Sequence, residues 1–458
     1  MPIDILGSII FEGTDAVPGW NYIKQYGPAV AVIGGIKYYF GGSSNTWERD
    51  LHGKVFLVTG GTAGVGLEVV HDLGIRGAQV VLLVRSTEDS WTVDFVEDMR
   101  TRTDNFMIYA EECDLNSLHS VRKFATKWLD NKPPRRIDGV ICCASESIPA
   151  GKERQFTTDR VEKQIGVNYL AHYHLLTLLS PALKVQPPDR DVRVVIVSCA
   201  SQGLGQIDEN DILWEKRRYP QKQPWQVYGT SKLMLGLFAC EIQRRFESFE
   251  RKDKAACNVR VNIVNPGFMR SPSTRRFVSM GTVWGLLVYL LLYPLFYLFF
   301  KSTSQGAQSI FYALYAPVFK ESYGGNLVSE CKIIEPARKE YGDEELQKHL
   351  FDATEKHIAT LERNSAIQRK KNEKAAEATG KKTGASDNGK SAQASLAEKS
   401  TSPSELDEKL RMLKNSLGVS TASPDPLLRP DQLSDPSSST KKPSKPSSKT
   451  SSRKTSKK

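Results

Sequence analysis

Short, continuous apolar runs recur through the first part of the chain, separated by stretches with helical spacing. Lys54–Gly61, Ala78–Arg85, Arg136–Ser145, Val192–Cys199 and Val259–Gly267 are such runs, dominated by Val, Ile and Leu. Apolar runs of this length without polar alternation suit strands buried on both faces. A further strand ends in the segment ECDLNSL, at Asp114. Between the runs, Val65–Arg76, Leu118–Asn131, Arg160–Leu183 and Tyr228–Glu247 place apolar residues three and four apart and predict helices. The alternation predicts an α/β fold, a Rossmann-type doubly wound parallel sheet with helices on both faces.

Three segments depart from this rhythm. Residues 1–50 are mixed and glycine-rich; within them Pro28–Gly42 is apolar, too short to span a bilayer and interrupted by Lys37. From Phe277 to Phe300 there are 24 residues without a charge, where about 20 suffice for a helix to cross a bilayer. After Glu362 aromatic residues vanish and Lys, Ser, Ala, Thr, Pro and Gly dominate. Such a composition predicts a disordered tail, since too little apolar surface is on offer to offset chain entropy. Only Ser404–Leu417 reads as a short helix within it. The organisation is therefore an extension (1–50), a folded domain (51–362) carrying an apolar insertion (277–300), and a disordered basic tail (363–458).

Charge sharpens that division. The net charge of +11 lies wholly beyond Glu362, where 21 Lys and Arg meet 10 Asp and Glu; the body holds 42 of each sign. A neutral body argues against nucleic acid as a partner. The seven cysteines show no metal-ligand spacing, so no metal site is expected and the thiols read as reduced.

The chemistry starts at the end of the first strand. Thr59–Gly66 reads TGGTAGVG, with Gly60 permitting a tight turn and Gly64 and Gly66 letting backbone approach a pyrophosphate at a helix N-terminus. Nineteen residues beyond Gly66, the second strand ends in Arg85 rather than an acid. An arginine there pairs with a 2′-phosphate and favours NADP(H). Asp114 is placed to accept from the adenine amino group. Further on, Tyr228 and Lys232 in YGTSK stand four apart and share a helix face. An ammonium near a phenol favours phenolate and is expected to lower the tyrosine pKa, making Tyr228 a proton donor or acceptor for a carbonyl and its alcohol.

With these motifs in that order, the chain resembles the short-chain dehydrogenase/reductase family over about Lys54 to Pro336, through TGGTAGVG, CDL, NYLAHYHLL, YGTSK and NPGFMRS. It looks most like the retinol-dehydrogenase-type branch, and within it like a fungal oxidoreductase of membranes or lipid droplets. The resemblance implies that Tyr228 is the acid/base and that Lys232 tunes it and holds the nicotinamide ribose. Asn168 completes a proton relay. Thr62, Val65, Ala144, Met269 and Ser271 join the glycines in binding the cofactor, Ser271 at the carboxamide. Two departures stand out. The family's Asn-Asn-Ala-Gly is here Cys142–Ser145, and its catalytic serine falls on Cys199. Ser201 is the expected replacement, because a hydroxyl donates better than a thiol; Cys199 is the rival.

The same resemblance places strands and helices of one sheet on both sides of the 24-residue run. Both flanks then lie on one side of any membrane, and two crossings would need about 40 residues. The run is therefore expected to insert into one leaflet or a lipid-droplet monolayer without crossing. Pro294 would break it into two helices or a shallow hairpin. Trp284, Tyr289, Tyr293 and Tyr297 suit an interface, and Arg275, Arg276 and Lys301 bracket it. Pro28–Gly42 is either a second membrane contact or a plain strand or loop. The expected function is an NADP(H)-dependent oxidoreductase acting on a lipophilic alcohol, aldehyde or ketone, monotopic on the cytosolic face of the endoplasmic reticulum or a lipid droplet, with homodimerisation left open. The alternative is a catalytically weak or inactive protein of the same fold that acts as a lipid-surface scaffold.

Overall fold

The computed structural model describes residues 20–383, apart from 188, 252 and 253. Eight strands form one sheet: β1 (Val55–Thr59), β2 (Gln79–Val84), β3 (Ile108–Glu112), β4 (Gly139–Cys142), β5 (Val192–Val197), β6 (Val259–Asn265), β7 (Leu327–Ser329) and β8 (Lys332–Ile334). Their order is β3-β2-β1-β4-β5-β6-β7-β8, all parallel except β8, which closes the edge antiparallel to β7. The strand order reverses between β1 and β4, where a crevice opens at the strand C-termini of such sheets.

Alternation along each strand feeds two cores. Leu57, Val81, Val140 and Val194 face one layer, with Leu118 to Trp128 of α4 (Leu118–Leu129), and with α5 (Ala171–Lys184) and α6 (Trp225–Glu247). Phe56, Val80, Ile141 and Val195 face the other, with α2 (Gly64–Ile75), α3 (Ser90–Thr103) and α10 (Thr303–Tyr315). Both faces being covered is why the strands read as unbroken apolar runs.

Of the two readings of Pro28–Gly42, the plain strand or loop is not what forms. Trp20–Gly41 is a helix, α1, with Pro28 inside it. Lys37, read in the sequence as an interruption, donates from Nζ to the carbonyls of Tyr297 (2.7 Å) and Phe300 (3.2 Å). It thereby satisfies free carbonyls at the C-terminal end of α9 (Tyr293–Phe299), where a cation is favoured. Phe40 meets Phe299 edge-on at 5.0 Å.

The apolar stretch begins in the last turn of α7 (Pro272–Ser279) and holds two short helices, α8 (Val283–Leu291) and α9, with the break beside Pro294. Its two ends meet. Met269 and Lys301 form a parallel bridge, Arg270 N–H donates to Lys301 O (2.9 Å), and Lys301 N–H donates to Phe268 O (3.0 Å). Trp284 is 80% exposed and Leu291 79%, while Tyr289 is the one buried side chain of α8. No described helix is long and apolar enough to cross a membrane.

At the other end the helix α11 runs from Glu344 to Thr383. Leu350, Phe351 and Ile358 are buried, with Phe351 against Tyr173 (4.9 Å) and Phe238 (5.8 Å). Glu362 accepts from His174 and Arg122, and Ser365 Oγ donates to Asp159 (2.5 Å). The domain end that composition set at Glu362 thus falls inside a helix. Ala, Glu and Lys carry the helix on by propensity without needing an apolar stripe. Residues 384–458, with the patch Ser404–Leu417, lie outside the described residues, as do residues 1–19.

Candidate active site

The turn from β1 into α2 is built for close backbone approach. Gly60 has φ +66°, and a Cβ there would stand 2.6 Å from Ala144 Cα. At Gly66 a Cβ would stand 2.2 Å from Gly60 O, so the first turn of α2 lies directly on the loop. The N-cap of α2 is Ala63, which supplies no side-chain cap. The N–H groups of that first turn, at Gly64, Val65 and Gly66, thus receive no side-chain cap, which fits a pyrophosphate. Arg85 is exposed immediately after β2, two residues past the Leu83 that pairs with Thr59. Asp114 lies two residues past β3; its Oδ1 accepts from Asn116 N–H (3.0 Å).

The catalytic pair comes from α6. Tyr228 is half-buried, and the buried Lys232 lies beneath it, its Nζ 5.8 Å from the Tyr228 ring centroid and donating to Val197 O (3.0 Å). The expected lowering of the phenol pKa does not appear here. Burial pushes Tyr228 up, Cys199 adds to the rise, and the hydrogen bond from Ser145 opposes it. Burial also pushes Lys232 down, with no carboxylate beside it to hold the charge. The physical reason is desolvation, the largest cause of the rise: packing around the ring penalises the charged phenolate.

Asn168 sits in a π-helical turn, Gly166–Leu170, a distortion common at functional sites. Its side chain accepts from Glu146 N–H (2.7 Å) and donates to Glu146 O (3.0 Å) and Ser231 Oγ (3.1 Å). Its carbonyl accepts from Nδ1–H of His172 (3.1 Å), whose Nε2 accepts from the Thr59 hydroxyl (3.0 Å). Burial pushes His172 down to about 4, so it is neutral and this tautomer is fixed. Thr59 Oγ1 in turn accepts from Ala144 N–H (3.3 Å). This Asn168–His172–Thr59–Ala144 chain braces β1 against the strand that ends in Cys142 and Cys143.

Two short side chains lie beside Tyr228, Cys199 and Ser145, and a third, Ser201, lies behind the thiol. The Ser201 hydroxyl hydrogen-bonds Cys199 Sγ (2.6 Å), and it is Cys199 that lies beside the phenol. Ser201, expected to stand in for the family's serine, thus meets the Cys199 thiol within the turn Ala200–Leu204. The hydroxyl that does reach Tyr228 Oη is Ser145, at 3.0 Å. Sequence reading passed over it, although its signal was present in a serine standing where the family motif has glycine. Met269 and Ser271 follow β6. Met269 packs beside Gly306, and Ser271 caps α7 by accepting from Thr274 N–H (3.2 Å).

A parallel sheet with an anion-ready turn at its switch point, and a Tyr–Lys pair at the same crevice, defines a nicotinamide-nucleotide-dependent oxidoreductase. The short chain dehydrogenase model matches residues 54–207. An uncharacterized oxidoreductase of Saccharomyces cerevisiae is 43% identical over 391 residues, covering 81% of this chain and 95% of that protein. Human retinol dehydrogenase 13 is 30% identical over 322 residues, covering 69% and 88%. A crystal structure of an uncharacterized protein from Mycobacterium paratuberculosis aligns at 24% identity and TM-score 0.48, over 67% of this chain and 94% of that one. The chain belongs to the short-chain dehydrogenase/reductase family, in its retinol-dehydrogenase-like branch.

Proposed function

We propose that the protein is an NADP(H)-dependent oxidoreductase that interconverts a lipophilic alcohol and its aldehyde or ketone at a membrane or lipid-droplet surface. The observation that carries this reading is the junction between the apolar excursion and the catalytic helix. Phe277 on α7 packs edge-on against Trp225 (6.0 Å), three residues before Tyr228, and Arg276 pairs with Glu146 (3.0 Å), the neighbour of Ser145. An exposed apolar surface is thereby anchored at the reacting group, which is the arrangement a substrate dissolved in lipid requires.

Gly60, Thr62, Gly64, Val65 and Gly66 would hold the pyrophosphate and Arg85 the 2′-phosphate. Asp114 would bind the adenine end, and Ala144, Met269 and Ser271 the nicotinamide end. The bound nucleotide supplies or receives the hydride. Tyr228 donates its proton to the carbonyl oxygen during reduction and takes it back during oxidation. Lys232, held by Val197 O, supplies the positive charge that stabilises the phenolate, at short range and away from water. Its pull on the phenol grows as the proton leaves, which is the moment it is needed.

Oxidation of NADPH with retinoid, sterol and fatty aldehydes tests the reading. Turnover with at least one of them is expected, and Tyr228→Phe should abolish it while leaving NADPH affinity within about twofold, since the phenol handles only the proton. A protein that binds NADPH and reduces none of them would instead be the lipid-surface scaffold.

A further inference from the structure

We infer that Ser145 is a positioning residue for Tyr228: from the end of β4 its hydroxyl takes over the place left by the missing serine at the end of β5. This rests on Tyr228 being the proton donor, as proposed above. Ser145 Oγ and Tyr228 Oη are 3.0 Å apart. The other candidates are engaged or weak, since Ser201 is bound to Cys199 and a thiol is a poor donor.

Ser145 is also held from both sides in the chain. The residue before it, Ala144, donates its N–H to Thr59 Oγ1 (3.3 Å). The residue after it, Glu146, is gripped through both its N–H and its carbonyl by the buried side chain of Asn168. That accounts for where Asn168 spends its amide: it fixes the segment from which Ser145 reaches the phenol. A hydroxyl on so constrained a backbone is preorganised for its partner.

The step needs this donor. When the Tyr228 O–H bond breaks and the proton forms the O–H bond of the product alcohol, the phenolate oxygen can only accept. Ser145 then donates to it and keeps its own proton, so atoms and charge balance within the Tyr228–substrate exchange. In this half-buried site, a phenolate without a donor would be costly.

The test compares Ser145→Ala, Ser145→Thr and Ser145→Ala/Cys199→Ser in the full-length protein. Ser145→Ala should lower kcat by about 10- to 100-fold, the worth of a hydrogen bond to a charged group, with the Kd for NADPH unchanged. The limb of the pH–rate profile set by Tyr228 should move to higher pH, because a donor to the charged form has been removed. Thr at 145, or Ser restored at 199, should recover most of the rate. Unchanged kcat and profile, or a loss of NADPH affinity that parallels kcat, would overturn the inference. A second readout is independent of turnover. In protein labelled with [13Cζ]tyrosine, the resonance missing from Tyr228→Phe should shift in Ser145→Ala and stay in place in Ser201→Ala. If the wild-type protein reduces no carbonyl, the functional proposal falls and the resonance decides the pair: a shift retains Ser145 as the partner of Tyr228, and none refutes it.

Discussion

The membrane reading can be tested on three leucines. Leu287, Leu290 and Leu291 of α8 are 51, 57 and 79% exposed, whereas Leu292 at the bend is 36% exposed and contributes less. Fully burying a leucine is worth about 1.5–3 kcal/mol, so these three offer about 1–2 kcal/mol each to a lipid phase, or about 4 kcal/mol together. That corresponds to roughly a thousandfold in partitioning. Replacing all three with Asp removes this term and adds the cost of bringing three charges toward apolar surroundings. The assay is flotation with phosphatidylcholine vesicles, with NADPH binding and circular dichroism as controls of the fold. The native protein should float, and still float in high salt, because burial rather than charge holds it. The triple variant should stay at the bottom while binding NADPH normally. Flotation of the triple variant, or failure of the native protein to float, would refute the assignment. The bridge between Met269 and Lys301 sets a further condition: protease added outside sealed vesicles should reach exposed sites on both flanks, near Arg276 and near Lys301, and protection of one flank alone would mean the chain crosses.

Two further outcomes follow from other parts of the structure. Arg85→Asp should shift preference from NADPH toward NADH, measured as the ratio of Kd values; an unchanged ratio would remove Arg85 from the 2′-phosphate site. At Glu362, burial opposes ionisation but hydrogen bonds from His174 and Arg122 win and hold its carboxyl down at about 2. A depressed carboxylate stabilises the fold above its unfolded pKa of about 4.3 and loses that contribution as pH falls toward the folded value. Glu362→Gln should therefore cost about 1–2 kcal/mol at pH 7, discounted because Arg122 is 46% exposed, with the difference from wild type shrinking only below about pH 4.5 in denaturant titrations.

What could be read from the sequence was whatever local spacing encodes. Unbroken apolar runs mark doubly covered strands because each of their residues enters one core or the other, as Leu57 and Phe56 do. TGGTAGVG is legible because glycine is needed wherever a Cβ would strike backbone, as at Gly60 and Gly66. The Tyr228–Lys232 pair follows from helical period alone. Even the split of the apolar stretch was legible, since Pro294 carries its own constraint on the helix.

What the sequence did not reveal shares one cause, which is contact between residues far apart in the chain. Lys37 looked like a break in an apolar run because its partners, the carbonyls of Tyr297 and Phe300, lie about 260 positions away. Composition could not show that the helix holding Glu362 runs on past it, with Ser365 still bonded to Asp159 of the body. Ser145 and Tyr228 are 83 positions apart. Nothing local in either segment states that the residues after β4 and the first turns of α6 converge. The sign of the Tyr228 shift was likewise beyond the sequence, because burial is a property of what packs around a group. Sequence alone determined the sheet, the anion-ready turn and the Tyr–Lys pair, all set by steric and periodic rules acting within a few residues. Tertiary structure alone decided which hydroxyl meets the phenol, how strongly water is excluded from it, and where the apolar excursion is anchored, because those depend on which distant surfaces the two cores bring together.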